Sequence, residues 1–260
     1  MTHSTINGKE EAGKRRIKLW AVAFWLILWQ LSSSLLNQEI LLVSPISTGK
    51  RLLELIWKFD FWLAIAKSMG KIILGFLIAV LSSILLAMLA NLNRALEELL
   101  RPLFSVMKAI PVASFIILCL VFIPSRNLSI FTAYIMVLPI IYTNVLQGIQ
   151  STDRNLVEMA QVFQITWFRK VRYIFLPAIV PFLHAAGKIS IGFSFKSGIA
   201  AEVIGIPADT IGENLYQAKV YLNTPDLFAW TIVIIIVSIL FERVFLYILD
   251  RLLGRVTKRL

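Results

Sequence analysis

Six apolar runs, each near the length of a membrane crossing, restrict this chain more than any other feature. They cover about residues 19–36, 64–90, 103–123, 128–149, 173–202 and 227–248, the fifth being the least uniform. About 20 residues of helix cross a hydrocarbon core of ~30 Å. With 58% hydrophobic and 16% charged residues and a mean hydropathy of +0.79, the chain is too apolar for a soluble domain of its length. The expected fold is an all-α integral membrane protein with six transmembrane helices. It divides into a tail at 1–18, one membrane domain at 19–250 and a basic tail at 251–260. Lys14, Arg15, Arg16 and Lys18 give the first run the flank of a signal sequence. No small-residue cleavage pattern follows it, so it is expected to stay as an anchor.

The net charge of +11 does not require a nucleic-acid partner, because the basic residues are spread along the chain as membrane topology would place them. With the amino terminus inside, the inner segments hold fifteen: Lys9, Lys14, Arg15, Arg16, Lys18, Arg94, Arg101, Arg154, Arg169, Lys170, Arg172, Arg251, Arg255, Lys258 and Arg259. The outer segments hold six: Lys50, Arg51, Lys58, Arg126, Lys196 and Lys219. Both termini, and the polar loop 150–172 between the fourth and fifth runs, are therefore expected in the cytoplasm. Cys119 stands alone, which leaves no disulfide framework and no cysteine-based metal site.

Between the first two runs, Val43 to Gly49 reads as a turn and Lys50 to Phe61 as a short amphipathic helix on the outer surface. Pro111 falls inside the third run, where a proline predicts a kink or break near Met107; Pro139 does the same in the fourth. The fifth run is rich in small residues from Ala185 to Ala201, which permit close helix approach in lipid. A short helical piece is expected around Glu213 to Val220. No internal duplication is visible, which disfavours a self-contained secondary transporter.

The loop 150–172 is the most informative polar segment. Asp153 or Asn155 can cap a helix start, with Glu158 in capping-box spacing from Asn155. Met159, Val162, Phe163 and Trp167 then recur at helical spacing and predict one apolar stripe on a short helix. In a cytoplasmic loop, such a stripe either lies in the membrane interface or seats in a partner's groove. Arg169, Lys170 and Arg172 follow, suited to anionic headgroups.

The letters Glu158-Met-Ala160, three residues, Gln164, nine residues, Ile174-Phe-Leu-Pro177 resemble the signature loop of binding-protein-dependent ABC importer permeases. That loop reads Glu-Ala-Ala, three residues, Gly, nine residues, Ile, any residue, Leu-Pro. Val43-Ser-Pro, Met107-Lys-Ala-Ile-Pro-Val112 and Gly198-Ile-Ala-Ala-Glu-Val-Ile-Gly205 extend the resemblance over about residues 40–250, toward the nitrate, sulfonate and taurine branch. The chain departs from the pattern at Met159, at Gln164 where glycine is usual, and at Phe122-Ile-Pro-Ser125 where the family has Phe-Gly. Without the glycine, a longer and straighter loop helix is an open alternative to the family's bend.

The resemblance implies a cytoplasmic coupling helix with Glu158, Met159, Ala160, Phe163, Gln164 and Trp167 as ATPase-coupling residues. It implies two ATPase subunits, a solute-binding protein and a second permease copy, within membrane lipid. ATP and magnesium are then expected on the ATPase. This chain, with no Gly-x-x-x-x-Gly-Lys-Ser/Thr loop, is expected to hold no cofactor and not to be an enzyme. Basic and aromatic residues within the spans, together with the kink proline, are the candidates for the transport pathway: Lys108, Pro111, Phe115, His184, Lys188 and Phe195. His184 and Lys188, four apart on one face, would attract an anion; the plain alternative is that Lys188 pairs with Glu202. The solute expected from the branch is nitrate, a sulfonate or taurine, or a heterocyclic vitamin precursor. The contrasting classes are an ATPase-independent transporter or channel and a membrane scaffold.

Overall fold

A computed structural model describes residues 19–36, 38 and 41–257, the last six of these by backbone alone. The expected tail 1–18 and residues 258–260 lie outside the described residues. Five helices are each long and apolar enough to cross a membrane: α1 (Leu19–Leu36), α3 (Phe59–Leu92), α6 (Ser125–Gln150), α9 (Leu176–Gly205, continued backward to Trp167) and α11 (Thr224–Thr257). A bent pair, α4 (Arg94–Ala109) and α5 (Val112–Leu120), is apolar enough to count as a sixth span when the two are taken together. Three short helices complete the chain: α2 (Pro45–Ile56), α7 (Arg154–Val162) and α10 (Ile211–Val220), with a four-residue turn, α8 (Trp167–Lys170). No strand occurs among the described residues.

The core lies where α3, α6 and α9 meet. Phe76, Ile72, Ile141, Val137, Ile191 and Val145 are fully or almost fully enclosed there. Lipid gives helices no hydrophobic reason to associate, so close approach and dispersion must hold them together. Gly75 shows how close: a Cβ built on it would stand 2.3 Å from the Ile130 carbonyl oxygen and 3.1 Å from the Ala133 Cβ. Helix α1 stays almost wholly exposed to lipid and is fastened by polar contacts instead. Trp29 Nε1 donates to Val43 O at 2.9 Å, Ser33 Oγ donates to Leu42 O at 2.8 Å, and Trp29 stacks on Phe228 at 5.5 Å.

Three sequence expectations change. The span expected at 103–123 is two helices meeting at 101°. Proline at 111 cannot donate to the Met107 carbonyl, and it drives Ile110 into extended backbone at φ −69°, ψ 128°. The turn expected at Val43 to Gly49 is the first turn of α2, because Ser44 caps it by accepting from Ser47 N–H at 3.1 Å and Pro45 stands at the first helical position. Within α2, Leu55 is buried and Leu52 partly so, while Leu53 and Ile56 face outward. The fifth span starts at Trp167, not Tyr173, through a π-helical stretch at Val171–Phe175 in which Leu176 N–H reaches back to Val171 O. Pro177 follows directly, and the widened turn absorbs its missing donor and bulky ring.

Candidate functional site

Helix α7 opens where Asp153 accepts from Asn155 N–H at 2.9 Å, one of the two caps expected. It ends after one and a half further turns in a closed C-terminal motif: Ile165 N–H bonds to Ala160 O and Gln164 N–H to Gln161 O, both at 3.0 Å. This six-to-one and five-to-two pairing needs a left-handed residue between the two bonds, and Gln164 supplies it at φ 50°. The longer, straighter helix that the missing glycine left open is not formed; the bend is made at the cost of a non-glycine side chain in left-handed backbone. That conformation costs roughly 1–2 kcal/mol. Gln164→Gly is therefore expected to raise the stability of the loop by about 1 kcal/mol, read as slower limited proteolysis between α7 and α8, whereas Gln164→Val should accelerate it. Equal cleavage rates in all three proteins would rule out strain at this position.

The bend also splits the expected stripe. Val162 and Phe163 project from the end of α7, 78% and 72% exposed, and Met159 and Leu156 are half exposed. Trp167 lies beyond the bend, tilted against Phe175 with ring centres 5.9 Å apart, in a crevice it shares with Met88, Asn91 and Ile149. It ties the returning chain to the ends of α3 and α6 and does not extend the face of α7. Ala160 is fully buried at the point where Ile165 N–H closes the helix. Glu158 lies 3.8 Å from Arg154, both on the open surface, a pairing of small energetic weight. The loop thus presents a compact apolar knob, Val162 and Phe163, on a braced base.

The expected pathway residues do not form one constellation. His184 on α9 approaches Asp250 on α11 at 3.7 Å, and Lys188 is exposed with no ion pair to a described residue. Phe195, 3% exposed, packs on Phe241 with ring centres 5.9 Å apart and offers a solute no surface within this subunit. Phe115 is half buried, stacked on Phe131 at 6.1 Å beside Ile116, Cys119 and Leu128. Pro111 marks the exposed break between α4 and α5. Lys108, one turn before it, lines a cavity between α4 and α6 with Arg101, Glu97 and Tyr142.

Glu202 is no partner for Lys188. It is fully buried, and Oε2 accepts from Ser68 Oγ at 2.6 Å and from Gly212 N–H at 3.3 Å. Ser68 Oγ in turn accepts from Ile211 N–H at 2.9 Å. Ile211 and Gly212 are the first residues of α10, whose N–H groups have no partner within that helix. The cluster therefore pins the start of α10 to α3 and α9, and Gly212 lies so close that a Cβ on it would meet the Glu202 Cβ at 2.2 Å. The sequence signal for this clamp was a carboxylate at the end of a span otherwise made of small residues, which proximity in sequence to Lys188 disguised. At the same end Arg51 of α2 bonds to Asp226 of α11, with Nη2 to Oδ2 at 3.1 Å, and its guanidinium is held above its ordinary range chiefly by that bond. Lys67 reaches Asp209 at 2.6 Å.

Comparison with known proteins gives this geometry its context. The family model described as "Binding-protein-dependent transport system inner membrane component" matches residues 79–258. The bicarbonate transport system permease protein CmpB of Synechococcus elongatus is 28% identical over 240 residues, which span 87% of this chain and 85% of that protein. The nitrate import permease protein NrtB of Leptolyngbya laminosa is 28% identical over 145 residues, 55% of this chain and 52% of that protein. The putative aliphatic sulfonates transport permease protein SsuC of Bacillus subtilis is 23% identical over 227 residues, 86% and 81% of the two. Among solved structures, a crystal structure of an amino acid ABC transporter with histidines shares the fold. Its TM-score is 0.53 at 21% identity, and the match spans 77% of this chain and 94% of that one.

Proposed function

This chain belongs to the binding-protein-dependent transport system inner membrane component family, and from that premise we propose how it works as the permease subunit of an ATP-driven importer. Two copies assemble with two ATPase subunits and receive a small solute from a binding protein on the opposite face of the membrane. The observation that carries the reading is the apolar knob of Val162 and Phe163, displayed at the end of a capped helix on a polar loop. Two large apolar side chains held out on a braced helix suit a groove in a partner, and closure of two ATPases on ATP would draw two such helices together. ATP and magnesium belong to that partner. The loop and both termini lie in the cytoplasm of a bacterial cell, consistent with Arg94, Arg101, Arg154, Arg169, Lys170 and Arg172 all falling at the loop end of the helices.

The solute is a small anion of the bicarbonate, nitrate or sulfonate kind. The relatives' printed names support that class. The experiment is to tag the chain, extract it in mild detergent and identify what co-purifies, comparing the wild type with a Val162→Ala, Phe163→Ala variant. The expected result is an ATPase recovered with the wild type and depleted severalfold from the variant. A chain that purifies alone, and transports in vesicles without ATP, would replace this reading with that of a secondary transporter.

A further inference from the structure

The cavity between α4 and α6, about 440 Å³ in volume, has more hydrogen-bond donors than acceptors to receive them. Lys108 Nζ reaches one acceptor, Thr143 Oγ1, at 3.4 Å. That hydroxyl spends its own hydrogen on Pro139 O at 2.8 Å, and no carboxylate pairs with Lys108 among the described residues. An ammonium carries three N–H donors, so two are left over. Tyr142 is 3% exposed and lines the same cavity, and its hydroxyl has no hydrogen-bond partner. The acidic group lining the cavity, Glu97, is engaged by Arg101 at 3.6 Å. The lining therefore carries two cations against one carboxylate.

A buried hydroxyl without a partner is costly, and the exposed Lys108 ammonium keeps two donors to offer an occupant. One kind of occupant suits both: an anionic group rich in acceptor lone pairs and poor in donors. A cation would meet like charge at Lys108 and Arg101, and a donor-rich neutral solute would face N–H and O–H groups pointing at its own. We propose that this cavity is an oxyanion station, with Lys108 supplying charge, the Tyr142 hydroxyl a neutral hydrogen bond, and Gln147 lining the remaining wall. The assignment rests on the importer reading and gives that pathway a specific stop alongside α4, between Glu97 and Lys108. The oxyanion has two possible sources, a travelling solute or the phosphate of a lipid headgroup.

The test uses the full chain with its co-purified ATPase, stripped of lipid in a neutral maltoside detergent and titrated calorimetrically with sodium nitrate, bicarbonate, sulfate and methanesulfonate. At least one anion is expected to bind saturably. Lys108→Met should weaken it tenfold or more and Tyr142→Phe about threefold, while Lys108→Arg should restore most of the affinity. Arg94→Met, which removes a charge paired with Glu98 outside the cavity, should leave binding unchanged. A phospholipid retained by the wild type and lost from Lys108→Met, seen by native mass spectrometry with no free anion bound, would support the station with lipid as its source. Binding of neither, or equal binding of either by the wild type and Lys108→Met, would overturn it. A complex that keeps its ATPase yet binds no oxyanion sinks the station alone, whereas a chain that recruits no ATPase sinks the importer reading beneath it.

Discussion

Exchanging Val162 and Phe163 together for glutamate is expected to cut ATP-driven uptake in proteoliposomes to less than a tenth of the wild-type rate, with little change in the melting temperature of the purified chain. Both side chains are largely exposed in the isolated subunit, so charging them removes no contact on which the fold depends. In a partner's groove the same change is severe. Burying a valine or phenylalanine side chain contributes about 1.5–3 kcal/mol each, and an unpaired carboxylate in an apolar pocket adds a further desolvation cost. Folding and coupling should therefore separate cleanly. Wild-type uptake by the double variant would mean that the knob touches nothing that drives transport. A large fall in melting temperature would mean that it belongs to the subunit's own core.

Gly75→Ala, a change of one methyl group, should lower stability by about 3 kcal/mol, at the upper end of overpacking costs, read as a steep loss of folded protein on heating in detergent. The new Cβ would sit 2.3 Å from the Ile130 carbonyl oxygen. That obstacle is backbone and cannot rotate aside, so α3 and α6 must part along the seam that holds the core. Overpacking a close-fitted interior costs about 1–3 kcal/mol and sometimes more. Gly70→Ala, on the same helix, provides the control, because nothing lies within 4 Å of its added methyl. There alanine should be neutral or favourable by up to ~1 kcal/mol, through reduced backbone freedom in the unfolded chain. Equal behaviour of the two variants would show that close approach at Gly75 does not set the α3–α6 distance.

The long apolar helices were legible because length and hydropathy alone specify them. Each departure of the structure from the sequence pattern has a local cause. Helix α4 begins at Arg94, well before the apolar run at 103, because its early turns carry Glu97, Glu98 and Arg101 and do not register as membrane. Pro111 predicted the interruption, but nothing in sequence carries the 101° angle, which depends on what the two pieces pack against. Ser44-Pro45 is a helix start that turn-forming neighbours made look like a loop. In the loop 150–172, the capping by Asp153 was readable, but the apolar stripe was counted through a bend. Left-handed backbone at a glutamine leaves no mark in the letters, and so helical spacing puts Trp167 on a face it does not share. The Glu202 clamp and the donors around Lys108 depend on residues far apart in sequence: Ser68 with Glu202, and Lys108 with Tyr142. Spacing rules reach only a few residues and do not see such pairs.

The break at Ile110 and Pro111 has a consequence for how the bilayer is sealed. Hydrocarbon cannot solvate backbone groups that have left a helix, and such groups persist at membrane depth only against protein or water. Ala109 and Pro111 are exposed on a single subunit, so acyl chains are a poor solvent for this corner however well they fit the outward faces of α1 and α11. That corner therefore calls for protein or water against it and not for acyl chains. Whatever covers that corner decides whether protons and small ions stay on their own side while the rest of the machine is at rest.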